Sequence, residues 1–131
     1  MNRIDVPTVI VGALVSLGLI VPVALVARLV AGGDDVSSGW NNAFTVFIIV
    51  ATLIGAGVAG RRRPDTPMMH GAAAGTLTYV AARLVSAIAS GEVPNVIALA
   101  FALLVFAAIG AIGGFVAGAL SHRSSGQAPR S

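Results

Sequence analysis

Two arginines, Arg28 and Arg83, are the side chains best placed to do chemistry, because each interrupts a long apolar run. A charge at membrane depth is costly, so by default it marks a binding or relay position. Arg28 lies five residues before Gly33, and Arg83 lies eight before Gly91. From there the guanidinium groups can snorkel outward or pair with Asp34, Asp35 or Glu92. The alternative is an outward-facing basic site for an anion or a lipid headgroup. Arg83 follows Pro67 by 16 residues, about 24 Å along a helix at 1.5 Å per residue. Its expected acceptor is Glu92, an outer-loop Asp, a backbone carbonyl or a bound anion.

The remaining polar groups do not assemble a reaction. His70, Tyr79 and Arg83 are spread along one helix with no carboxylate among them, and acid–base or nucleophilic work needs groups within hydrogen-bond reach. No enzyme activity is expected. His70 and His122 sit near helix ends and read as interfacial anchors rather than metal ligands. Thr76 and Thr78 are expected to bond to the preceding turn or a neighbouring helix. There is no Cys, which removes disulfides, thiol catalysis and thiolate metal sites. Gly55-Ala56-Gly57-Val58-Ala59-Gly60 is a literal G-x-G-x-x-G, but it runs into Arg61, Arg62, Arg63 and Pro64 where a dinucleotide-binding helix would start. It reads as a helix end lined by small residues. No catalytic, metal or cofactor site is expected.

Composition sets the class. Of 131 residues, 56% are hydrophobic and only 10% charged, against about a quarter charged in soluble domains. The mean hydropathy is +0.93. The net charge is +3, and the basic residues sit at helix ends rather than on one polar face. Anionic headgroups are their simplest partner, and no nucleic acid is expected. All eight basic residues are Arg, a composition that suggests a GC-rich bacterial genome.

Four apolar stretches, 6–31, 43–60, 67–89 and 94–120, predict an all-α polytopic membrane protein. The architecture expected is a four-transmembrane-helix bundle built as two tandem helical hairpins, in one domain over 1–120. The shortest stretch, 18 residues, gives about 27 Å, enough for a hydrocarbon core of ~30 Å with slight thinning. The first is too long for a cleavable signal peptide and reads as a retained helix. Thr66-Pro67 looks like an N-cap with Pro at the first helical position, Gly32-Gly33 and Gly91 suit helix ends, and Pro22 predicts a kink. Asn41 and Asn42 are expected to cap the second helix and Trp40 to lie at the outer interface. The segment 121–131 is small, polar and Pro-containing, and predicts a disordered cytoplasmic tail.

Charge orients the bundle. The loop 32–42 carries Asp34 and Asp35, the loop 90–93 carries Glu92, and 61–66 carries three Arg. The positive-inside rule then puts 61–66 and both termini in the cytoplasm of a multi-pass plasma-membrane protein. The halves also echo each other: Ala27-Arg28-Leu29-Val30 recurs as Ala82-Arg83-Leu84-Val85, and Val58-Ala59-Gly60 as Val116-Ala117-Gly118. This is either a parallel duplication or the coincidence of a chain rich in Ala, Val, Leu and Gly. Gly71 with Gly75, and Gly110 with Gly114 and Gly118, form small-residue ridges at i, i+4 that let helix backbones approach. The ridges alone leave open whether the contact lies within one chain or between chains.

Gly57-Val58-Ala59-Gly60-Arg61, then Pro64, then His70-Gly71-Ala72-Ala73-Ala74-Gly75 resembles small bacterial four-helix integral membrane proteins that are uncharacterised as families. The resemblance rests on about twenty residues. It implies a bacterial plasma-membrane protein and carries no activity with it.

Two functions of different class fit. The first is a small accessory or interaction subunit working by helix packing, with the lipid bilayer and either its own copies or another membrane protein as partners. The second is a small oligomeric transporter or channel, for an anion if Arg28 and Arg83 line its path. Proton-coupled export is disfavoured, because Asp5, Asp34, Asp35, Asp65 and Glu92 all lie at ends or in loops.

Overall fold

The computed structural model describes residues 4–30, 38–91 and 95–125. They form four α-helices: α1 (Val6–Val30), α2 (Ser38–Arg62), α3 (Pro67–Ser90) and α4 (Val96–Ser125). α2 and α3 each touch the other three helices, whereas α1 and α4 do not meet. The two inner helices therefore separate the two outer ones.

Three helices are long and apolar enough to cross a membrane: the spans are Val6–Ala27, Asn42–Arg62 and Val96–Arg123. α3 is not among them, so length and composition support three of the four expected spans. The reason lies in its sequence. His70, Thr76, Thr78, Tyr79 and Arg83 interrupt the run, and Gly and Ala supply much of the remainder.

Several helix ends differ from the hydropathy boundaries. α2 begins at Ser38, so Asn41 and Asn42 lie inside the helix and do not cap it. α4 continues to Ser125, and the Ser121 hydroxyl donates to the Ala117 carbonyl at 3.0 Å. The first five residues of the expected tail are thus helical; 126–131 lie outside the described residues, as does Gly32-Gly33. α1 runs without a break through Pro22. Thr66 stands before Pro67 as expected, but its side chain makes no capping bond. Gly91 ends α3 in the left-handed conformation, φ 70°, with its N–H on the Ala87 carbonyl; a residue without Cβ takes that geometry at little cost. Asn95 caps α4, its Oδ1 accepting the Ile97 N–H at 2.9 Å.

The packing is inside out compared with a water-soluble protein. The largest fully buried side chains are His70, Thr52, Thr78 and Ser16. Most of the other buried positions are Ala or Gly. Leu14, Leu25, Leu104, Ile112 and Phe115, by contrast, are all more than half exposed. The buried hydroxyls fold back on their own helices: Ser16 onto Gly12 at 3.3 Å, Thr52 onto Ile48 and Thr78 onto Ala74 at 2.8 Å each. Each thereby satisfies its donor without a partner helix, and among the described residues no buried side-chain polar atom lacks a partner.

Candidate functional site

The most connected polar cluster ties the start of α1 to the turn between α2 and α3. Asp5 precedes α1, and its carbonyl accepts the Val9 N–H at 3.1 Å. Its carboxylate accepts from Thr8 Oγ1 at 3.0 Å and from Arg63 Nε at 2.7 Å, with Arg63 Nη2 at 2.5 Å. A carboxylate at a helix start also faces the positive end of the helix dipole. The hydrogen bond from Arg63, followed by that from Thr8, holds the Asp5 carboxyl below its ordinary pKa, outweighing the upward push of desolvation.

His70 completes the cluster from the first turn of α3. It is 1% exposed, so its role as an interfacial anchor is corrected: the ring is an internal connector. The Asp5 backbone N–H donates to Nε2 at 3.0 Å, and Nδ1 lies 2.9 Å from the Thr66 carbonyl and 3.0 Å from Thr66 Oγ1. A nitrogen that accepts from a backbone N–H carries no proton, so the network assigns the hydrogen to Nδ1, donating to Thr66. The Thr66 side chain serves this ring instead of capping α3. Among the described residues no group of three metal-ligating side chains comes together.

Arg83 lies farther along α3, its side chain exposed. Its Nε donates to the Tyr79 hydroxyl at 3.0 Å, and its guanidinium carbon lies 5.8 Å from the Tyr79 ring centroid. Tyr79 is buried and tilted against Phe106 of α4, the ring centroids 4.8 Å apart. The acceptor is therefore a phenol one turn back on the same helix, not one of the acceptors expected for Arg83. The side chain of Arg28 and the residues Asp34, Asp35 and Glu92 lie outside the description.

The expected packing glycines converge on the α3–α4 contact. A Cβ on Gly71 would strike the Gly110 carbonyl oxygen and come within 2.9 Å of Gly114 Cα. A Cβ on Gly75 would strike the Phe106 carbonyl, one on Gly114 the Pro67 carbonyl, and one on Gly118 would lie 2.8 Å from Pro67 Cβ. Each of these clashes is within the chain. A second crossing, between α1 and α2, uses Gly12, Ser16, Gly55 and Ala59; a Cβ on Gly12 would lie 2.7 Å from the Gly55 carbonyl oxygen. The G-x-G-x-x-G run is consumed by packing: Gly55 meets α1, while Gly57 and Gly60 meet α4.

Asp5, Thr8 and Arg63 join the site in the fold without having been expected there. An acidic residue three before a Thr at a helix start is a recognisable local signal. Arg63, 58 residues from Asp5, has none.

A tightly crossed helical bundle with a small, polar interior and three strongly apolar helices is compatible with a membrane location. The chain belongs to the family described as protein of unknown function (DUF3792), whose model matches residues 5–117. No curated protein and no solved structure matches it.

Proposed function

We propose that this chain is a multi-pass protein of the bacterial plasma membrane that acts as a small accessory or interaction subunit through its apolar helix faces. The observation that carries this reading is the inverted packing: small and polar side chains inside, large apolar ones outside on every helix. In water that arrangement would expose far more contiguous apolar surface than a soluble monomer tolerates. In lipid it is the favourable arrangement, because close packing of small residues replaces the hydrophobic force.

On this reading α3 crosses the membrane with the others. At 24 residues it is about 36 Å long, and contacts with α1, α2 and α4 shield much of its polarity. The loop 61–66 and both termini face the cytoplasm, as the Arg61–Arg63 cluster supports. The glycine ridges are engaged within the chain, so partners meet the outer faces of α1 and α4. Arg83 is engaged by Tyr79, which favours a structural role for it over a transport path.

Extraction of native membranes with alkaline carbonate, followed by mild-detergent electrophoresis, tests the reading. The chain is expected to stay with the membrane and to migrate as an assembly larger than one copy. Release by carbonate, or a clean monomer with no partner, overturns it. The Cys-free sequence permits an orientation test: Gly39→Cys should react with an impermeant maleimide from outside, and Arg62→Cys should not.

A further inference from the structure

We infer that the groove between α2 and α4 is a binding site for an anionic phospholipid, with its acyl chain in the groove and its phosphate at Arg61. The inference rests on the membrane reading above. The cavity holds about 440 Å³, within the range of small-molecule sites. Its origin is in the sequence. Gly57, Gly113 and Ala117 lie at the contact, a Cβ on Gly57 coming 3.3 Å from Ala117 Cβ. The helices approach there, and the buried small residues leave a floor. Ile54 and Val116, each about half exposed, form walls on either side. From Val50 to Arg61 the groove follows α2 for about 16 Å along the axis.

Charge selects the occupant. Arg61 lines the groove on the last turn of α2. Arg63 is taken by Asp5, whereas Arg61 forms no ion pair among the described residues. Arg62 is exposed beside it, and Arg123 is exposed on the last turn of α4. Asp65 is the one acidic side chain in the adjoining turn. An apolar slot with an excess of cations at one end matches an acyl chain continued by an anionic headgroup, as in basic pockets between membrane helices. A second protein helix would need small residues to lie down in the groove but would leave Arg61 unanswered.

The test uses the full chain in nanodiscs of equal parts phosphatidylcholine and phosphatidylglycerol, with native mass spectrometry of the lipids retained on release. Wild type should keep phosphatidylglycerol over phosphatidylcholine. Arg61→Gln should reduce that preference about fivefold, the equivalent of roughly 1 kcal/mol for one basic residue near the surface. Val116→Trp, which fills the groove from an exposed wall, should lose the retained lipid while Arg61 stays in place. Equal retention of the two lipids, or no change on Arg61→Gln, overturns the site. So does a disulfide between copies of a Val116→Cys variant in the nanodisc, which would put a second chain over the groove. Failure of the membrane reading is distinct, because that protein would be washed off membranes by carbonate.

Discussion

The two ends of the same four helices are built on opposite rules. At the end that holds Asp5, Arg63 and His70, residues 5–20, 51–79 and 110–121 contain every buried position described. In the other half, 21–30, 39–50, 80–91 and 95–109, each side chain described is partly or fully exposed. The glycines divide the same way. Eleven of the thirteen described lie in the closed half, and a Cβ on any of these but Gly18 would meet a neighbour within 4 Å; Gly39 and Gly91, in the open half, have nothing within that distance. Where one helix offers a Gly, a carbonyl of its neighbour can approach to contact; where helices offer Leu, Val and Phe all round, those side chains are left exposed. In an apolar medium, helix association is decided by what is missing from the side chains rather than by what is present.

The largest expected effect comes from filling the closed half. Gly114→Leu puts a branched side chain against the Pro67 carbonyl and Gly71 Cα. Backbone atoms cannot step aside as a flexible side chain can, so a loss of about 3 kcal/mol or more is expected. Leu104→Ala, at a 71% exposed position in the open half, should change stability by less than about 0.5 kcal/mol. Unfolding in detergent measures both. Equal effects would erase the distinction between the halves.

A smaller effect tests the polar part of the closed half. His70→Ala strands the Asp5 N–H, a donor the ring now accepts, and opens space around it. An unsatisfied buried donor costs about 1–3 kcal/mol, and the Asp5 N–H, being part-buried, should fall at the low end. Hydrogen exchange at the start of α1 should rise in this variant more than at the start of α4, where Asn95 supplies the cap. An unchanged exchange rate at Val9 would show that the tie carries no load.

Smaller still is Arg83→Leu in the open half. The change removes one hydrogen bond to Tyr79 and also, on the proposal that α3 crosses the membrane, a charge that is expensive in lipid. The two effects oppose, so a net change within about 1 kcal/mol is expected, of either sign. A loss as large as that of Gly114→Leu would mean that Arg83 holds the open half together.

Much of this was readable from residue types. Apolar runs located four helices, although α3, interrupted by His70, Thr76, Thr78, Tyr79 and Arg83, is less apolar than the other three. The i, i+4 glycines marked where helices touch, because only small residues permit contact. The ends were less legible. Trp40-Asn41-Asn42 breaks the apolar run but not the helix, because backbone hydrogen bonding continues after hydrophobicity stops. The same holds at Ser121. The cluster at the closed end was hidden for another reason. Asp5 and His70 are 65 residues apart, and a pairing across that distance follows from how α1 and α3 cross, which no local pattern encodes. His70 was misplaced at an interface because its position near a helix start suggested exposure, whereas the start of α1 covers it.

The mildest expected effect is the pH dependence of the Asp5–Arg63 pair, and its sign is fixed by the chemistry. Folding lowers the Asp5 pKa, first through the Arg63 hydrogen bond and then through Thr8. The folded state therefore binds the proton less readily than the unfolded chain, whose Asp titrates near about 3.9. Stability from this pair is fully present above that value and is lost as the pH falls through the lower, folded-state pKa. Between pH 5 and pH 8 the pair should contribute a constant amount. The Arg63 side chain is 52% exposed, so solvent and salt screen the interaction and keep it small. Unfolding of wild type and Arg63→Gln should give curves a fixed distance apart near neutrality, converging only below the usual carboxylate range. A gap that opens or closes between pH 5 and pH 8 would assign the dependence to another group and leave the Asp5 pair without a role in it.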